Sequence, residues 1–469
     1  MSGDDNVIGP RVRAVENMVA RAREKTQSSS GGPACINCRV PLWLSFFFDG
    51  TNNHRGRDFP RDHSNVAALF DAHLDAPEAG VIRFYYEGVG TTFEFEDRHE
   101  KVFVPRVGLQ ERNGYREGES TVRQGFGTGL DIRLEKAIFE FQMAVERQKG
   151  LTRVDEINIA AFGFSRGATS ARAFVNWLAQ HSKVTREGSM LRYDGIPLNV
   201  KFLGLFDTVE SMGGAGTNRQ PHLVKTSVPT YVQRCLHIVA AHELRRAFPV
   251  TVLGTDRYTQ VVYPGAHADT GGGYADGVQG RSNQLARVAL LQMLDHARGA
   301  GLKMLSVNEM RQSPDWSRIF SLSFDVPAAV RQALSAYMTH VITQAGLLRA
   351  VLEAHMTLYW AWIDAGLALE DANAKREALP GGRRNRPAAG SGQFRTMAHL
   401  YRSLARTPAG RGARNAPPVR DVVPAAVEDF FETYVHDSFE HFSMTGGTLQ
   451  ADVTVADYYE LREMHAPRA

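Results

Sequence analysis

Five short apolar runs, each closed by turn-forming or polar residues, mark the first part of the chain. Trp43 to Phe48 ends at Asp49-Gly50-Thr51-Asn52-Asn53, Val81 to Tyr86 at Gly88-Val89-Gly90, and Ile157 to Phe164 at Ser165. Val200 to Phe206 ends at Asp207, and Gln260 to Tyr263 at Pro264-Gly265. Runs this short, apolar without strict alternation, suit strands covered on both faces. Helical patterns separate several of them. Ala168 to Gln180 places Ala171, Phe174, Val175 and Leu178 on one face, and Gln284 to Ala297 forms another. Strand, loop and helix in alternation predict an α/β fold, an α/β-hydrolase-like and mainly parallel sheet with helices on both faces. In open sheets of this kind ligands bind at the carboxyl edge, where these five endings would meet.

The pattern also divides the chain. Residues 1–34 read as a peripheral segment, with a short amphipathic helix around 12–23 and a Ser/Gly linker. Residues 35–300 form the catalytic core. Residues 301–420 read as a helical cap, strongest over 326–376, with a Gly/Pro/Arg-rich insertion at 379–419. Residues 421–469, with Phe430, Phe431 and Tyr434, would pack back on the core. In the cap, Trp360 and Trp362 fit either a packed core or an acyl-binding, membrane-contacting wall; helical apolar spacing favours packing.

Composition narrows the function classes. The 469 residues carry a net charge of only +3 and are 43% hydrophobic, so nothing calls for nucleic acid as a partner. The polar start has no apolar h-region, and no run of about 18 apolar residues occurs. The expectation is synthesis in the cytoplasm without a signal peptide, with any export left to a dedicated machine. Cys35 and Cys38 have C-x-x-C spacing but no second pair, which argues against a structural zinc site and leaves a disulfide only for an oxidising compartment.

The sharpest chemistry lies in Gly163-Phe164-Ser165-Arg166-Gly167. G-x-S-x-G is a weak pattern alone, but here a strand leads in and an amphipathic helix leads out, as a nucleophile elbow requires. Small residues must flank the sharp turn, and the Arg166 N–H at the helix start can face a developing oxyanion. Serine needs an imidazole to take its proton and a carboxylate to orient that imidazole. In this fold class the order is Ser, then acid, then His. Asp207, ending the next predicted strand, is the first candidate acid, and Asp256 the second. His267, in the loop Gly265-Ala266-His267-Ala268-Asp269-Thr270-Gly271-Gly272-Gly273, is the first candidate base, and His436 competes with it. Asp269 would hold this loop or its histidine. The backbone near Gly50 or Thr51, after Asp49, would supply the second oxyanion donor. Asp49, His54, His267 and Asp269 also carry ligand chemistry but match no closed zinc spacing. A hard divalent cation stays open, and the reading itself needs no metal or cofactor.

Several strings together resemble one family: Phe47-Phe48-Asp49-Gly50-Thr51-Asn52-Asn53, Gly88-Val89-Gly90-Thr91, Gly163 to Ala168, Phe206-Asp207-Thr208-Val209, Ala241 to Pro249, and Gly265 to Tyr274. They are similar to the α/β-hydrolase domain of lipase effectors of the bacterial type VI secretion system, over roughly residues 40–290. The string around His436-Asp437-Ser438 is similar to a late segment of such effectors. The resemblance implies a nucleophile, acid and base at Ser165, Asp207 and His267. It implies a membrane phospholipid substrate, action at the periplasm or membrane of a target bacterium, and an antibacterial role. Its implied partners are a secretion spike or tube protein and a cognate immunity protein. Beyond the hydrolase region the chain is shorter than members with large additional modules. The expected activity is a serine phospholipase of the A type. The alternatives are a carboxylesterase of small soluble esters and a non-catalytic adaptor that retains the fold.

Overall fold

The computed structural model describes residues 39–104, 108–118, 129–210, 224–245, 247–314, 316, 320–343, 347–381, 423–439 and 461–469. The expected N-terminal helix and linker, the Cys35–Cys38 pair and residues 382–419 of the insertion lie outside these.

A parallel sheet organises the described residues. Its strands are β1 (Arg39–Phe48), β2 (Val81–Tyr86), β5 (Arg153–Phe164), β8 (Ile196–Phe206), β9 (Cys235–Ala240) and β11 (Thr259–Tyr263), in the spatial order β11-β9-β8-β5-β1-β2. Every neighbouring pair along that path is parallel. The five predicted runs are all strands, extended at their amino ends in β1, β5 and β8. The chain leaves β1 for β2 on one side and returns to β5 on the other. The β1/β5 boundary is therefore the switch point, where a crevice opens beyond the carboxyl ends. Asp49 and Ser165 follow those two strands directly.

The patterning passes over β9, although all six of its residues are buried. His237 interrupts the apolar run Cys-Leu-His-Ile-Val-Ala. Its imidazole is accommodated in the core by pairing: Thr208 N–H donates to Nε2 at 3.2 Å, and Nδ1 meets Gln260 Oε1 at 3.0 Å. Burial lowers its pKa to about 3, so the ring is neutral. Two antiparallel hairpins also escape the pattern. β3 (Phe93–Val104) pairs β4 (Gly108–Glu117), and β6 (Val184–Glu187) pairs β7 (Met190–Tyr193), which in turn joins β8.

Helices α1 (Asn65–Ala72), α2 (Leu130–Leu151), α3 (Arg166–Leu178), α4 (His267–Gly271) and α5 (Leu285–Gly299) accompany the sheet. The predicted elbow helix is α3, which lies buried along its whole length and brings Phe174 against Phe46 at 4.3 Å. A second core joins α6 (Ala328–Met338), α7 (Leu348–Glu377) and α8 (Ala425–Tyr434). Tyr337, Tyr359, Trp362, Phe430 and Phe431 meet there, and Trp360 and Trp362 are only 1% and 3% exposed. These tryptophans are packing residues and present no wall to solvent. His242 ties this core to the sheet edge: its Nδ1 accepts from Gly265 N–H at 2.8 Å while its ring stacks on Tyr359. Among the described residues no helix is long and apolar enough to cross a membrane.

The last described segment, 461–469, adds β12 (Met464–His465) beside β10 (Val250–Thr251), in parallel. Buried Arg172 of α3 supports the same region by donating to the carbonyls of Thr251 and Val252.

Candidate active site

Ser165 sits at the turn between β5 and α3 with φ 57 and ψ −123. A left-handed φ at a non-glycine residue costs of the order of 1 kcal/mol or more and persists only where surroundings over-determine it. Here they do. Ser165 N–H donates to Phe206 O at 3.0 Å, and Ser165 O accepts from Ala168 N–H at 3.0 Å and Val209 N–H at 3.3 Å. The two motif glycines are steric requirements. A Cβ on Gly163 would stand 2.2 Å from Gly167 O, and one on Gly167 would stand 2.2 Å from Phe48 O. The sharp turn thus needs β5, α3 and the end of β1 in closer contact than any side chain allows.

Asp207 follows β8 directly, also at positive φ (44), and is fully buried. Its Oδ2 meets His267 Nδ1 at 2.5 Å, and its Oδ1 accepts from Ala240 N–H at 3.0 Å. His267 is the first residue of α4. It packs against the rings of Phe164 (4.5 Å) and Phe248 (5.1 Å, edge-on). Phe164 immediately precedes Ser165, so the contact carries the imidazole to the elbow. The other ring nitrogen, His267 Nε2, is buried without a hydrogen-bond partner. With Nδ1 held by a carboxylate, Nε2 is the ring position left to take a proton, and Ser165 Oγ makes no hydrogen bond to it in this structure.

Opposing effects set the charges of this pair. Burial pushes the Asp207 carboxyl up, but the Arg462 guanidinium and the His267 hydrogen bond outweigh it and hold the group well below the usual carboxylate range. Burial lowers the His267 pKa below its ordinary 6.5, against the opposing pull of Asp207 and Glu243. Glu243 and Arg245 form a buried bidentate pair (2.8 and 2.7 Å), and the Arg245 guanidinium lies 3.7 Å over the Phe248 ring.

Arg462 is the residue that sequence reasoning missed. It donates from Nη1 to Asp207 Oδ1 at 2.6 Å and from Nη2 to Oδ2 at 2.9 Å. A lone arginine in a polar stretch, 255 positions from its partner, leaves no periodicity or motif to find.

The Arg166 N–H opens α3, where the first N–H groups have no partner in the helix's own ladder. Arg166 Nη1 donates to Thr51 Oγ1 at 2.9 Å, which joins the elbow to the loop after β1. The Gly50 N–H, one of the two donors expected in this loop, donates to Asp49 Oδ1 at 2.7 Å. Thr51 remains this loop's candidate donor. Asp49 itself is a buried turn anchor that also accepts from Ser64 Oγ at 2.8 Å and from Tyr85 OH. Burial raises its pKa to about 6 despite those bonds.

The remaining candidates separate from this pair. Asp269 accepts from Ala266 N–H at 2.9 Å and so fastens the loop, but the histidine it holds is His436. His436 Nδ1 lies 2.6 Å from Asp269 Oδ1, its N–H reaches Oδ2 at 2.9 Å, and Tyr274 stacks on its ring at 4.2 Å. His436 is thereby placed behind α4, and Asp207 pairs with His267 rather than with it. Asp256 is exposed, in the turn before β11. His54 caps a short helix over Arg55–Asp58. With Asp49, His267 and Asp269 all committed elsewhere, the four possible ligands do not converge. No group of three or more His, Cys, Asp or Glu suited to a metal occurs among the described residues.

A family model described as "T6SS, Phospholipase effector Tle1-like, catalytic domain" matches residues 44–194 and 188–296, together more than half of the chain. The crystal structure of an uncharacterized protein from Pseudomonas aeruginosa is similar with a TM-score of 0.51 at 20% identity, covering 100% of this chain and 68% of that one. At that identity the likeness shows a shared fold. The structure of the Tle1 effector bound to the VgrG spike of the type 6 secretion system is similar with a TM-score of 0.42 at 17% identity, over 70% of this chain and 84% of that one. No curated protein matches the sequence.

Proposed function

We propose, for a chain that belongs to the Tle1-like phospholipase effector family of type VI secretion, that it cleaves glycerophospholipid esters through an acyl-Ser165 intermediate. The observation that carries this reading is the strained backbone of Ser165 beside the buried Asp207–His267 pair, whose outer nitrogen has no partner. Ser165 Oγ attacks the ester carbonyl carbon while His267 Nε2 takes its proton. The carbonyl oxygen becomes an oxyanion that the N–H groups of Arg166 and Thr51 stabilise. The ester C–O bond then breaks, and His267 returns the proton to the departing alcohol oxygen. Water repeats the sequence against the acyl-enzyme and releases the fatty acid. Asp207 keeps the imidazole in the tautomer with its proton on Nδ1.

In this reading the family supplies the context. The protein is made in the cytoplasm, is delivered with a spike or tube protein, and degrades membrane phospholipid in a rival bacterium. A cognate immunity protein protects the producer. A fluorophosphonate probe is expected to label Ser165 once per chain, and labelled protein is expected to release no fatty acid from phospholipid vesicles. Mass spectrometry of the labelled peptide and of the lipid products decides this together. Unlabelled Ser165, with vesicles still hydrolysed, would sink the serine mechanism.

The pH dependence follows from His267. A base must be neutral to accept a proton, and burial lowers this histidine's pKa. The acid limb of kcat/KM is therefore expected to have its midpoint below pH 6.5, the ordinary histidine value. A midpoint above that value in a pH–rate series would contradict a buried, neutral His267.

A further inference from the structure

We infer that Arg462, carried by the segment that pairs with β10 as β12, is a positioning residue that fixes the Asp207 carboxylate for His267. This rests on the serine-hydrolase reading of the site. The residue lies outside the stretch that the family model matches, and its geometry is specific. The planar fork of one guanidinium spans both carboxylate oxygens, at 2.6 and 2.9 Å. That bidentate match fixes the plane of the carboxylate as well as its charge. The plane matters because Oδ2 also meets His267 Nδ1 at 2.5 Å. A carboxylate free to turn would release the imidazole.

The remaining donors of Arg462 fix the arginine in turn. Nε donates to Phe248 O at 2.8 Å and Nη1 to Ala240 O at 3.2 Å. The Phe248 ring stands against His267, so Arg462 holds the two walls of the imidazole site, the carboxylate and the Phe248 backbone. Its own backbone is held on either side of β12. Val250 N–H donates to Glu463 O at 3.0 Å, Val252 N–H to His465 O at 3.0 Å, and Thr226 and Ser227 N–H to Arg468 O at 3.0 and 2.7 Å.

Charge supplies the second half of the argument. The charged groups facing His267 are Asp207 from the end of β8 and Glu243 and Arg245 from the segment after β9, beyond the uncharged rings of Phe164 and Phe248; Arg462, from the last described segment, acts through Asp207. Glu243 and Arg245 pair with each other. Without Arg462, Asp207 would act on the imidazole as an unneutralised buried anion. That would favour the protonated His267 and raise the pH at which it becomes a base.

The test uses Arg462→Met and Arg462→Lys in the full chain, with thermal unfolding to confirm folding and Ser165 labelling to report the nucleophile. Arg462→Met is expected to lower kcat by about 100-fold with KM nearly unchanged, as for loss of an orienting group that acts only in the chemical step. It is also expected to move the acid limb of kcat/KM up by about one pH unit, because the cation that neutralises Asp207 and disfavours the imidazolium is gone. Arg462→Lys keeps the charge and loses the fork, so kcat falls by about tenfold with the limb in place. If Arg462→Met does not fold, the lysine variant decides alone, and wild-type kcat there overturns the inference. Folded Arg462→Met with wild-type kcat, or with reduced kcat and an unmoved acid limb, overturns it too. If wild-type Ser165 is not labelled, the serine reading fails and this inference falls with it. Intact labelling with indifferent Arg462 variants refutes only the role of the arginine.

Discussion

Ser165→Ala and His267→Ala are each expected to lower kcat by about a million-fold, and the double variant by little more than either alone. The non-additivity is the informative part. Once the nucleophile is gone, a base has no proton to take, and the residual rate comes from the N–H groups and substrate binding. Asp207→Asn is expected to lower kcat by about 10⁴-fold. Asp207 receives donors from four directions: Ala240 N–H and Arg462 Nη1 on Oδ1, and Arg462 Nη2 and His267 Nδ1 on Oδ2. An asparagine amide has one accepting oxygen and one donating nitrogen, so its NH₂ must face donors whichever way it turns. Facing Arg462, it breaks the fork. Facing His267, it forces the imidazole into the tautomer whose proton points at Ser165, and the base is lost. Steady-state kinetics on vesicles with the three single variants and the Ser165/His267 double variant check this. A double variant as slow as the product of the two single losses would mean that the residues do not act as one unit.

What the sequence disclosed about this site follows a physical division. Ser165, Asp207 and His267 each lie just past the carboxyl end of a strand or in the loop that follows it, and apolar runs with polar endings announce those positions. Parallel order then brings such endings to one edge, so three residues far apart in sequence could be assigned together. Gly163 and Gly167 were legible for a related reason, because close backbone approach leaves glycine as the only solution. The pattern was blind where stability comes from pairing instead of periodicity. β9 was passed over because His237 breaks its apolar run, and only the partners Thr208 and Gln260 make that histidine tolerable inside. The engagement of Gly50 N–H by Asp49 is a matter of one rotamer. Asp269 belongs to His436 and not to the neighbouring His267 because α8 delivers His436 behind α4. Arg462 reaches Asp207 through a strand pairing of two residues, β10 with β12, far too short to leave a hydrophobic signature.

Gly167→Ala is expected to destabilise the fold by about 3 kcal/mol or more, at the upper end of what overpacking by one methyl costs. The added Cβ would meet Phe48 O at 2.2 Å and Asp49 O at 2.4 Å. Both are backbone atoms at the end of a central strand, so no rotamer change relieves the contact. Relief requires moving α3 away from β1, which pulls Arg166 from Thr51 and turns Ser165 out of its backbone geometry. The stability loss and the functional loss therefore have one origin. Gly150→Ala is the matched control. That glycine lies near the end of α2 with open space around its Cβ position, and alanine there is expected to be neutral or to stabilise by up to about 1 kcal/mol. Denaturant midpoints for the two variants, with Ser165 labelling rates on whatever folded Gly167→Ala can be prepared, separate the two effects. A Gly167→Ala protein of wild-type stability that labels at the wild-type rate would show that the elbow does not need the close approach of β1 to α3. The strained turn at Ser165 would then have to be held by its bonds to Phe206, Ala168 and Val209 alone.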